Sequence, residues 1–319
     1  MNKFLLDTLE GMHSVAIGGH IRPDGDCVGS TTALYQYLKT NYPEIKTDLY
    51  LEQGFSETFR FIEATKAIKS QITDDMVYDL FICLDCSDMG RLGFSAPLFE
   101  SAKHTLCIDH HLSNAAFAEH NYIIADASST AELVYNMLEY DKITLEIAES
   151  LYLGMVHDTG VFQYSCTAPS TLEAAAQLLR KGIDASELID KTYYEKTYVQ
   201  NQILGRALLE SILLLDGKCI ASVVRKKELD FYGAATKDLE GIVSQLRSTT
   251  GVEVAIFLYE LEYQEFKVSL RSKGNVDVSK IAEFFQGGGH KRAAGFSMKG
   301  TSYDVINNIT LHIENQLSK

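Results

Sequence analysis

In the stretch "GHIRPDGDCVGS", residues 19–30, His20, Asp24 and Asp26 fall within seven positions of one another. All three side chains can ligate a metal ion. The run before them, "SVAIGG", reads as a short buried strand, and the run after them, "TTALYQYLKTN", as a helix. The cluster therefore sits on a strand-to-helix turn, where open α/β sheets place their ligands. Asp, Gly and Pro are also ordinary turn residues. On this stretch alone a solvated turn and a metal site are equally good readings.

Three further clusters break the tie. Asp85 ends the apolar run "LFICLD"; Asp109, His110 and His111 end "TLCI"; Asp158 lies in "MVHDTGVFQYS", after a long helix pattern and before a glycine turn. Parallel strands deliver their C-terminal ends to one edge of a sheet, so these side chains are expected to converge on a shared metal site. Carboxylates outnumber imidazoles and the pattern offers no thiol. Such a donor set suits Mn²⁺ or Mg²⁺ and excludes a thiolate-bound zinc. The aspartates at 24, 26, 85 and 158 would balance two divalent ions. Two ions roughly 3.5–4 Å apart lower the pKa of a shared water and neutralise phosphate oxygens in an in-line displacement. His20 and Asp24 would serve one ion and Asp26 the other, with the Pro23–Gly25 turn letting the neighbouring carboxylates diverge.

The elements that must position these residues alternate. Strands are expected at 14–19, 47–52, 78–85, 104–109 and 121–125, and helices at 30–41, 56–65, 130–140, 144–157 and 170–181. Alternation of this kind predicts a mostly parallel sheet covered on both faces. Residues 195–215 read as a connecting helix. From about 210 a second, smaller α/β domain is expected, with strands at 218–225, 252–260 and 265–272 and helices at 238–248, 277–285 and 302–317. The start of the chain reads as an amphipathic helix and not as a signal peptide. No apolar run approaches the roughly 20 residues of a membrane helix. The six cysteines show no zinc or disulfide spacing, "CLDC" reads as small core residues around Asp85, and a reducing cytoplasm fits best.

Charge is unevenly spread over the 319 residues, whose formal net charge is −14. Residues 205–319 hold 15 Lys and Arg against 14 Asp and Glu, so the rest of the chain carries the whole acidic surplus. A broad basic track for long nucleic acid is excluded. A small anion can still bind where metals and a few local cations reverse the field.

Taken together, these motifs resemble the DHH family of phosphoesterases. His20, Pro23-Asp24-Gly25-Asp26 and Gly29-Ser30 match its first motif; Asp85, Asp109-His110-His111 and Asp158-Thr159-Gly160 match the next three. The C-terminal "GGGHKRAAGF", 287–296, is similar to the signature of the DHH-associated domain. The length resembles the stand-alone bacterial nanoRNase and pAp phosphatase group more than the longer RecJ exonucleases. The glycine-rich motif sets the chain apart from family II inorganic pyrophosphatases. The resemblance implies a catalytic metal-binding domain over 1–190, a connecting helix over 191–209, a substrate-binding domain over 210–319, and an interdomain cleft.

It also implies roles. His20, Asp24 and Asp85 would hold one Mn²⁺, and Asp26, Asp85, His110 and Asp158 the second, with Asp85 bridging and Mg²⁺ admitted as a substitute. His111 would protonate the leaving oxygen or steady the phosphate, and Asp109 would orient its neighbours. Arg91 either reaches a phosphate or stays a surface-loop arginine. Gly287, Gly288 and Gly289 allow close approach of backbone N–H groups to an anion, with His290 and Arg292 binding phosphate or stacking on a base. Arg271 joins them or faces water. Ser30 is expected to cap the first helix, and Phe162 and Tyr164 line the cleft or pack in the core. His13, His104, His120 and His312 are given no chemistry.

The implied activity is Mn²⁺-dependent hydrolysis of short oligonucleotides to mononucleotides, with removal of the 3′-phosphate of pAp. The alternatives are a cyclic dinucleotide (c-di-AMP) phosphodiesterase and a nucleotide-binding sensor without turnover. The expected partners are short oligonucleotides or nucleotide phosphates, not long duplexes or membranes; a homodimer is left open.

Overall fold

Two runs in the first half of the chain are apolar without alternation, and both are strands buried at every position: β1 (Ser14–Gly18) and β4 (Leu80–Leu84). Continuous apolar runs are what strands covered on both faces require. The fold is a computed structural model describing residues 2–73 and 76–318. It forms two compact units, Met1–Glu195 and Lys196–Lys319.

In the first unit, α1 (Lys3–Leu9) precedes β1, α2 (Gly25–Asn41) follows it, and β2 (Lys46–Tyr50) and β3 (Ile68–Lys69) come next. After β4 come α3 (Ala96–Ser101), β5 (His104–Asp109), β6 (His120–Ile123), α4 (Thr130–Met137), α5 (Leu145–Thr159), α6 (Pro169–Leu179) and α7 (Ala185–Ile189), then a π-helical turn, Asp190–Tyr194. The strands lie in the order β3-β2-β1-β4-β5-β6, and every pairing is parallel. Val15, Ile17, Leu80 and Ile82 pack on one face with Leu34, Leu38 and Leu151, while Ala16, Phe81 and Cys83 pack on the other with Leu98 and Phe99. The α/β reading with a parallel first sheet is therefore correct.

Three expected helices differ, and the one over 238–248 is a 3-10 turn, Thr236–Leu239, followed after Gly241 by a separate helix, Ile242–Arg247. Residues 56–65 form consecutive 3-10 turns, Glu57–Phe61 and Glu63–Ala67. Phe59, Ile62 and Thr65 are buried there three apart, with Ala64 beside the last of them, and three-residue spacing is the 3-10 period. The helix expected over 195–215 ends at Leu209. Ile212–Leu214 turns back as a strand pairing Leu214 with Cys219. Asp216-Gly217 makes that hairpin turn, with Leu215, Asp216 and Gly217 all at positive φ.

The second unit runs α8 (Tyr198–Leu209), β7 (Ile212–Leu214), β8 (Cys219–Val224), α9 (Lys226–Tyr232), α10 (Ile242–Arg247), β9 (Val254–Glu262) and β10 (Glu265–Ser272). It closes with α11 (Val278–Phe284), β11 (Gly288–His290), β12 (Ala293–Lys299) and α12 (Ser302–Leu317). Its sheet, β11-β12-β10-β9-β8-β7, is mixed, with only β8 and β9 parallel. Alternate residues of β9 serve the two faces. Val254, Ile256 and Leu258 meet α11 and α12, and Ala255 and Phe257 meet α8 and α10. Among the described residues no helix is long and apolar enough to cross a membrane.

One contact in the first unit sets the position of a motif. A Cβ on Gly29 of α2 would lie 2.5 Å from the Ser150 carbonyl oxygen of α5. A Cβ on Gly154 of α5 would lie 2.5 Å from Ala131 Cβ of α4 and 2.7 Å from Asp26 Oδ1. Missing side chains thus let three helices close on Asp26. Gly154→Ala should destabilise the protein by about 1–3 kcal/mol, the cost of overpacking. An unfolding midpoint equal to wild type in urea would show that this contact has slack.

Candidate metal centre

The strand order reverses direction between β1 and β4: β2 and β3 lie beyond β1, and β5 and β6 beyond β4. Open α/β sheets bind ligands outside the C-terminal ends of the strands at such a switch point. Here those ends carry His20, just after β1, Asp85, just after β4, and Asp109, His110 and His111, where β5 ends. The C-terminal turn of α5 brings Asp158 to the same place, its Oδ2 3.0 Å from His110 Nε2.

Two donor groups share one carboxylate. His20 Nε2 lies 3.5 Å from Asp24 Oδ1 and 3.4 Å from Asp85 Oδ2. His110 Nε2 lies 3.6 Å from Asp85 Oδ1 and 3.9 Å from Asp26 Oδ2. Each imidazole is oriented through its other nitrogen: His20 Nδ1 is 2.8 Å from the Ile21 carbonyl oxygen and His110 Nδ1 is 3.4 Å from that of Ala127. Histidine ligands of metals are commonly held this way. Asp85 adopts φ 57°, a left-handed conformation in which Asp is one of the better tolerated residues, as its strand ends.

The buried carboxylates have built-in compensation. Asp26 is 0% exposed and Asp85 2%. The N-terminus of α4 faces both: Asp26 Oδ2 accepts from Thr130 N at 2.6 Å, Asp26 Oδ1 from Ala131 N at 2.9 Å, and Asp85 Oδ1 from Thr130 Oγ1 at 3.1 Å. Free N–H groups and the helix dipole favour negative charge there. The α4 terminus is itself pinned by Glu132, whose Oε2 accepts from Ser128 Oγ at 2.5 Å and from Thr171 Oγ1 of α6 at 2.8 Å. The sequence reading passed over this loop. Its S-x-x-E signature, Ser129 to Glu132, was the available signal.

The compensation from protein groups is incomplete. Burial, and then the charge of Asp85, push Asp26 well above the ordinary carboxylate range, and burial lifts Asp158 to about 6. Burial works against charge on the histidines too, yet contact with Asp24 and Asp85 raises His20 to about 10. Asp158, Asp26 and Asp85 do the same for His110, also to about 10. Carboxylates outnumber the groups that can carry positive charge, so the buried cluster calls for added positive charge. A divalent cation meets this electrostatic demand. His20, Asp24, Asp26, Asp85, His110 and Asp158 therefore fit a metal site by donor type, orientation and charge.

The helix after β1 starts earlier than the expected residue 30. Asp24 is its N-cap and accepts from the N–H groups of Asp26 and Cys27 at 3.2 and 3.1 Å. Asp24 and Asp26 thus diverge because one caps the helix and the other lies in its first turn. Ser30 is not the cap; it is inside α2 and donates back to the Asp26 carbonyl oxygen at 2.7 Å. The expectation that no thiol is offered also needs correction. Cys27 is buried and its Sγ comes within 4.8 Å of ligand atoms of His20 and Asp85. One helical turn carries both the cap and this thiol. Burial holds the thiol pKa well above its ordinary value.

His111 also reaches the shared carboxylate, its Nδ1 3.6 Å from Asp85 Oδ1, but that nitrogen is engaged elsewhere. Its Nδ1 is 2.7 Å from Asp109 Oδ1, and Asn114 Nδ2 donates to Asp109 Oδ2 at 2.7 Å. Asp109 is fully buried, so this pair fixes the ring and leaves Nε2 outside it. The hydrogen bond that His111 donates to Asp109 raises the His111 pKa. Arg91 lies on the loop after β4, where its carbonyl accepts from Ile21 N at 2.7 Å, and its Nε is buried without a hydrogen-bond partner.

Comparison with known proteins agrees with this geometry. Residues 14–155 match the model of the DHH family N-terminal domain, and residues 216–319 that of the DHHA1 domain. The chain belongs to the DHH/DHHA1 phosphoesterase family. It is 25% identical to the bifunctional oligoribonuclease and PAP phosphatase NrnA of Bacillus subtilis, over 98% of both chains. It is 28% identical to the NrnA of Thermus thermophilus, over 94% of this chain and 88% of that one. A crystal structure of an exopolyphosphatase-related protein from Bacteroides fragilis superposes with a TM-score of 0.88 at 27% identity, covering 98% of this chain and 94% of that one.

In the DHHA1 unit the glycine-rich motif is a hairpin of β11 and β12, an element the sequence reading did not expect. A Cβ on Gly287 would lie 2.3 Å from the Gly295 oxygen, and one on Gly289 2.5 Å from the Ala293 oxygen, so both glycines are needed by the hairpin itself. Gly288 has open space. His290 and Arg292 are exposed, and the Arg292 guanidinium lies over Gly274. Arg271, on β10, donates from Nη1 to the Leu270 oxygen at 3.0 Å.

The two DHH histidines should separate on substitution. His110→Ala should lower the stoichiometry of bound Mn²⁺, measured by equilibrium dialysis, whereas His111→Ala should leave it at the wild-type value. Loss of metal from His111→Ala alone would reverse the two assignments.

Proposed function

We propose that this DHH-family phosphoesterase hydrolyses short oligonucleotides to mononucleotides and removes the 3′-phosphate of pAp, using two Mn²⁺ ions, with Mg²⁺ able to substitute. One observation carries the reading: a full set of oxygen and imidazole donors, joined through Asp85, meets at the switch point of a chain similar over nearly its whole length to two NrnA proteins.

His20, Asp24 and Asp85 would hold one ion, and Asp26, Asp85, His110 and Asp158 the other. Bound there, the pair supplies Lewis-acid polarisation of the phosphoryl oxygens and acidifies a water. His111, oriented by Asp109 and Asn114, presents Nε2 to the leaving oxygen as proton donor. Arg91, with its unpaired buried Nε, offers a guanidinium to a phosphate. Gly288, His290, Arg292 and Arg271 take an anionic end of the substrate, with Gly287 and Gly289 shaping the hairpin. The six cysteines are all free thiols, which suits a reducing cytoplasm.

Asp85→Asn keeps the shape but removes the shared charge, so hydrolysis should fall to background with the far-UV circular dichroism unchanged. Substantial activity in this variant would refute the two-ion scheme. With Mn²⁺, kcat/KM should be highest on pApA and pAp and fall as RNA lengthens at fixed salt, because phosphate contacts are screened. A preference for cyclic di-AMP would move the assignment to a cyclic dinucleotide phosphodiesterase, and equal rates on long RNA would favour a processive exonuclease. In the second unit, Gly288→Ala meets no atom of the protein within 4 Å, so a rise in KM there reports close approach of substrate. An unchanged KM would remove Gly288 from the binding surface.

A further inference from the structure

We propose that Tyr164 is a nucleobase platform: its exposed ring, seated on Gly160 two residues from Asp158, stacks on the base of a nucleotide whose phosphate lies at the metal centre. The proposal rests on the function proposed above and names the part of the substrate that this side of the site recognises.

The backbone after Asp158 is unusual. Gly160, Val161 and Phe162 have φ of 57°, 57° and 61°, three consecutive left-handed residues. A β-branched valine in that region is a genuine outlier, and such strain persists only where the surroundings impose it. Thr159 imposes it here: its Oγ1 accepts from Phe162 N at 2.9 Å, and its carbonyl oxygen from Gln163 N at 2.9 Å and Tyr164 N at 2.8 Å. Phe162 then turns inward against Tyr152, with ring centroids 5.8 Å apart, and anchors the turn in the core.

The left-handed turn returns Tyr164 over the metal-ligand segment. A Cβ on Gly160 would lie 2.4 Å from the Tyr164 ring, so only glycine leaves room for it. The Tyr164 hydroxyl faces Tyr193 in the π-helical turn and, after burial, helps to raise the Tyr193 pKa, and turns of this kind are frequent at functional sites. Tyr193 is braced in turn by the edge of His157, 5.4 Å away, whose Nε2 is 3.2 Å from Thr192 Oγ1. Seated on Gly160, Tyr164 still leaves 45% of its surface exposed. Phe162 and Tyr164, alike in the sequence, have thus taken opposite roles.

A ring fixed before binding loses little entropy when a base lies on it. Every base has a π face, so a stacking platform tolerates sequence and suits an enzyme for mixed short oligonucleotides. Asp158 and Tyr164 are six residues apart along a tight turn, and the turn folds the Tyr164 ring back onto Gly160, two residues from Asp158.

Calorimetric binding of AMP and ribose 5-phosphate to the Mn²⁺-loaded full chain tests the proposal without turnover, since the two ligands differ only in the base. Wild type should bind AMP about tenfold more tightly, the range of one base–aromatic stack. Tyr164→Ala should abolish the difference by weakening AMP alone, and Tyr164→Phe, which keeps the ring, should preserve it. Mn²⁺ stoichiometry should stay at the wild-type value in both. If Tyr164→Ala lowers the unfolding midpoint, Tyr164→Leu, which fills the space over Gly160, should give the same loss of discrimination. Equal binding of the two ligands by wild type, or discrimination surviving in the Ala and Leu variants, would overturn the proposal. Failure of the functional reading looks different: AMP binds with discrimination but pApA is not hydrolysed.

Discussion

The rest of the first unit depends on how the charge of Asp26 and Asp85 is balanced. Both are almost wholly removed from water, and both lie within 4 Å of the same imidazole nitrogen, His110 Nε2. Carboxylates so placed do not stay ionised without partners. The chain provides two kinds. The first turn of α4 donates two hydrogen bonds to Asp26 and one to Asp85, and His20 and His110 set imidazole nitrogens against them. With Asp24 and Asp158 added, carboxylates still outnumber imidazoles, and divalent cations are the natural remainder of that balance.

Several otherwise separate features follow from this requirement. α4 has to end at Asp26, so Gly154 must be small enough for α5 to pass beside both. The α4 terminus must not drift, and buried Glu132 ties it to Ser128 and to α6. Asp85 must turn out of its strand toward both histidines, and it does so through a left-handed residue. Asp24 must point away from Asp26 although only two residues separate them. Helix capping achieves this, because a cap side chain folds back over the first N–H groups while the next carboxylate continues into the helix.

How much of this was legible in the sequence depended on whether the signal was local. Five of the six strands of the parallel sheet were readable, β1 and β4 most clearly because burial on both faces leaves unbroken apolar runs, whereas the two-residue β3 was not. The ligands were readable because each closes such a run or a helix pattern. Residues that act through tertiary contact were not. Thr130 reaches Asp26 and Asp85 across more than forty positions of chain. Cys27 looks like one more small residue until α2 is seen to begin at Gly25. The 3-10 segment at 57–67 was misread because three-residue and α-helical spacing are hard to distinguish over so few turns. In the glycine-rich motif the sequence suggested one purpose for three glycines. The hairpin accounts for Gly287 and Gly289 by close backbone approach and leaves Gly288 alone unexplained by the protein.

The charge distribution bears on the size of substrate under the proposed function. Residues 1–195 contain 13 Lys and Arg against 29 Asp and Glu, whereas residues 196–319 contain 16 against 14. The unit that carries the metal donors therefore has a net charge that disfavours polyanions, and cations bound at the centre would invert the field locally. A phosphate at the centre gains from that inversion, and further phosphates of a long strand meet acidic surface, with only a few local cations in the second unit to offset it. Each charged hydrogen bond is worth roughly 1.5–3 kcal/mol, so two or three of them retain a terminal phosphate. Extending the strand then adds repulsion faster than it adds contacts. On this account selection for short substrates needs no steric barrier. It arises from placing the cations of the site inside an acidic unit, and it depends on metal loading.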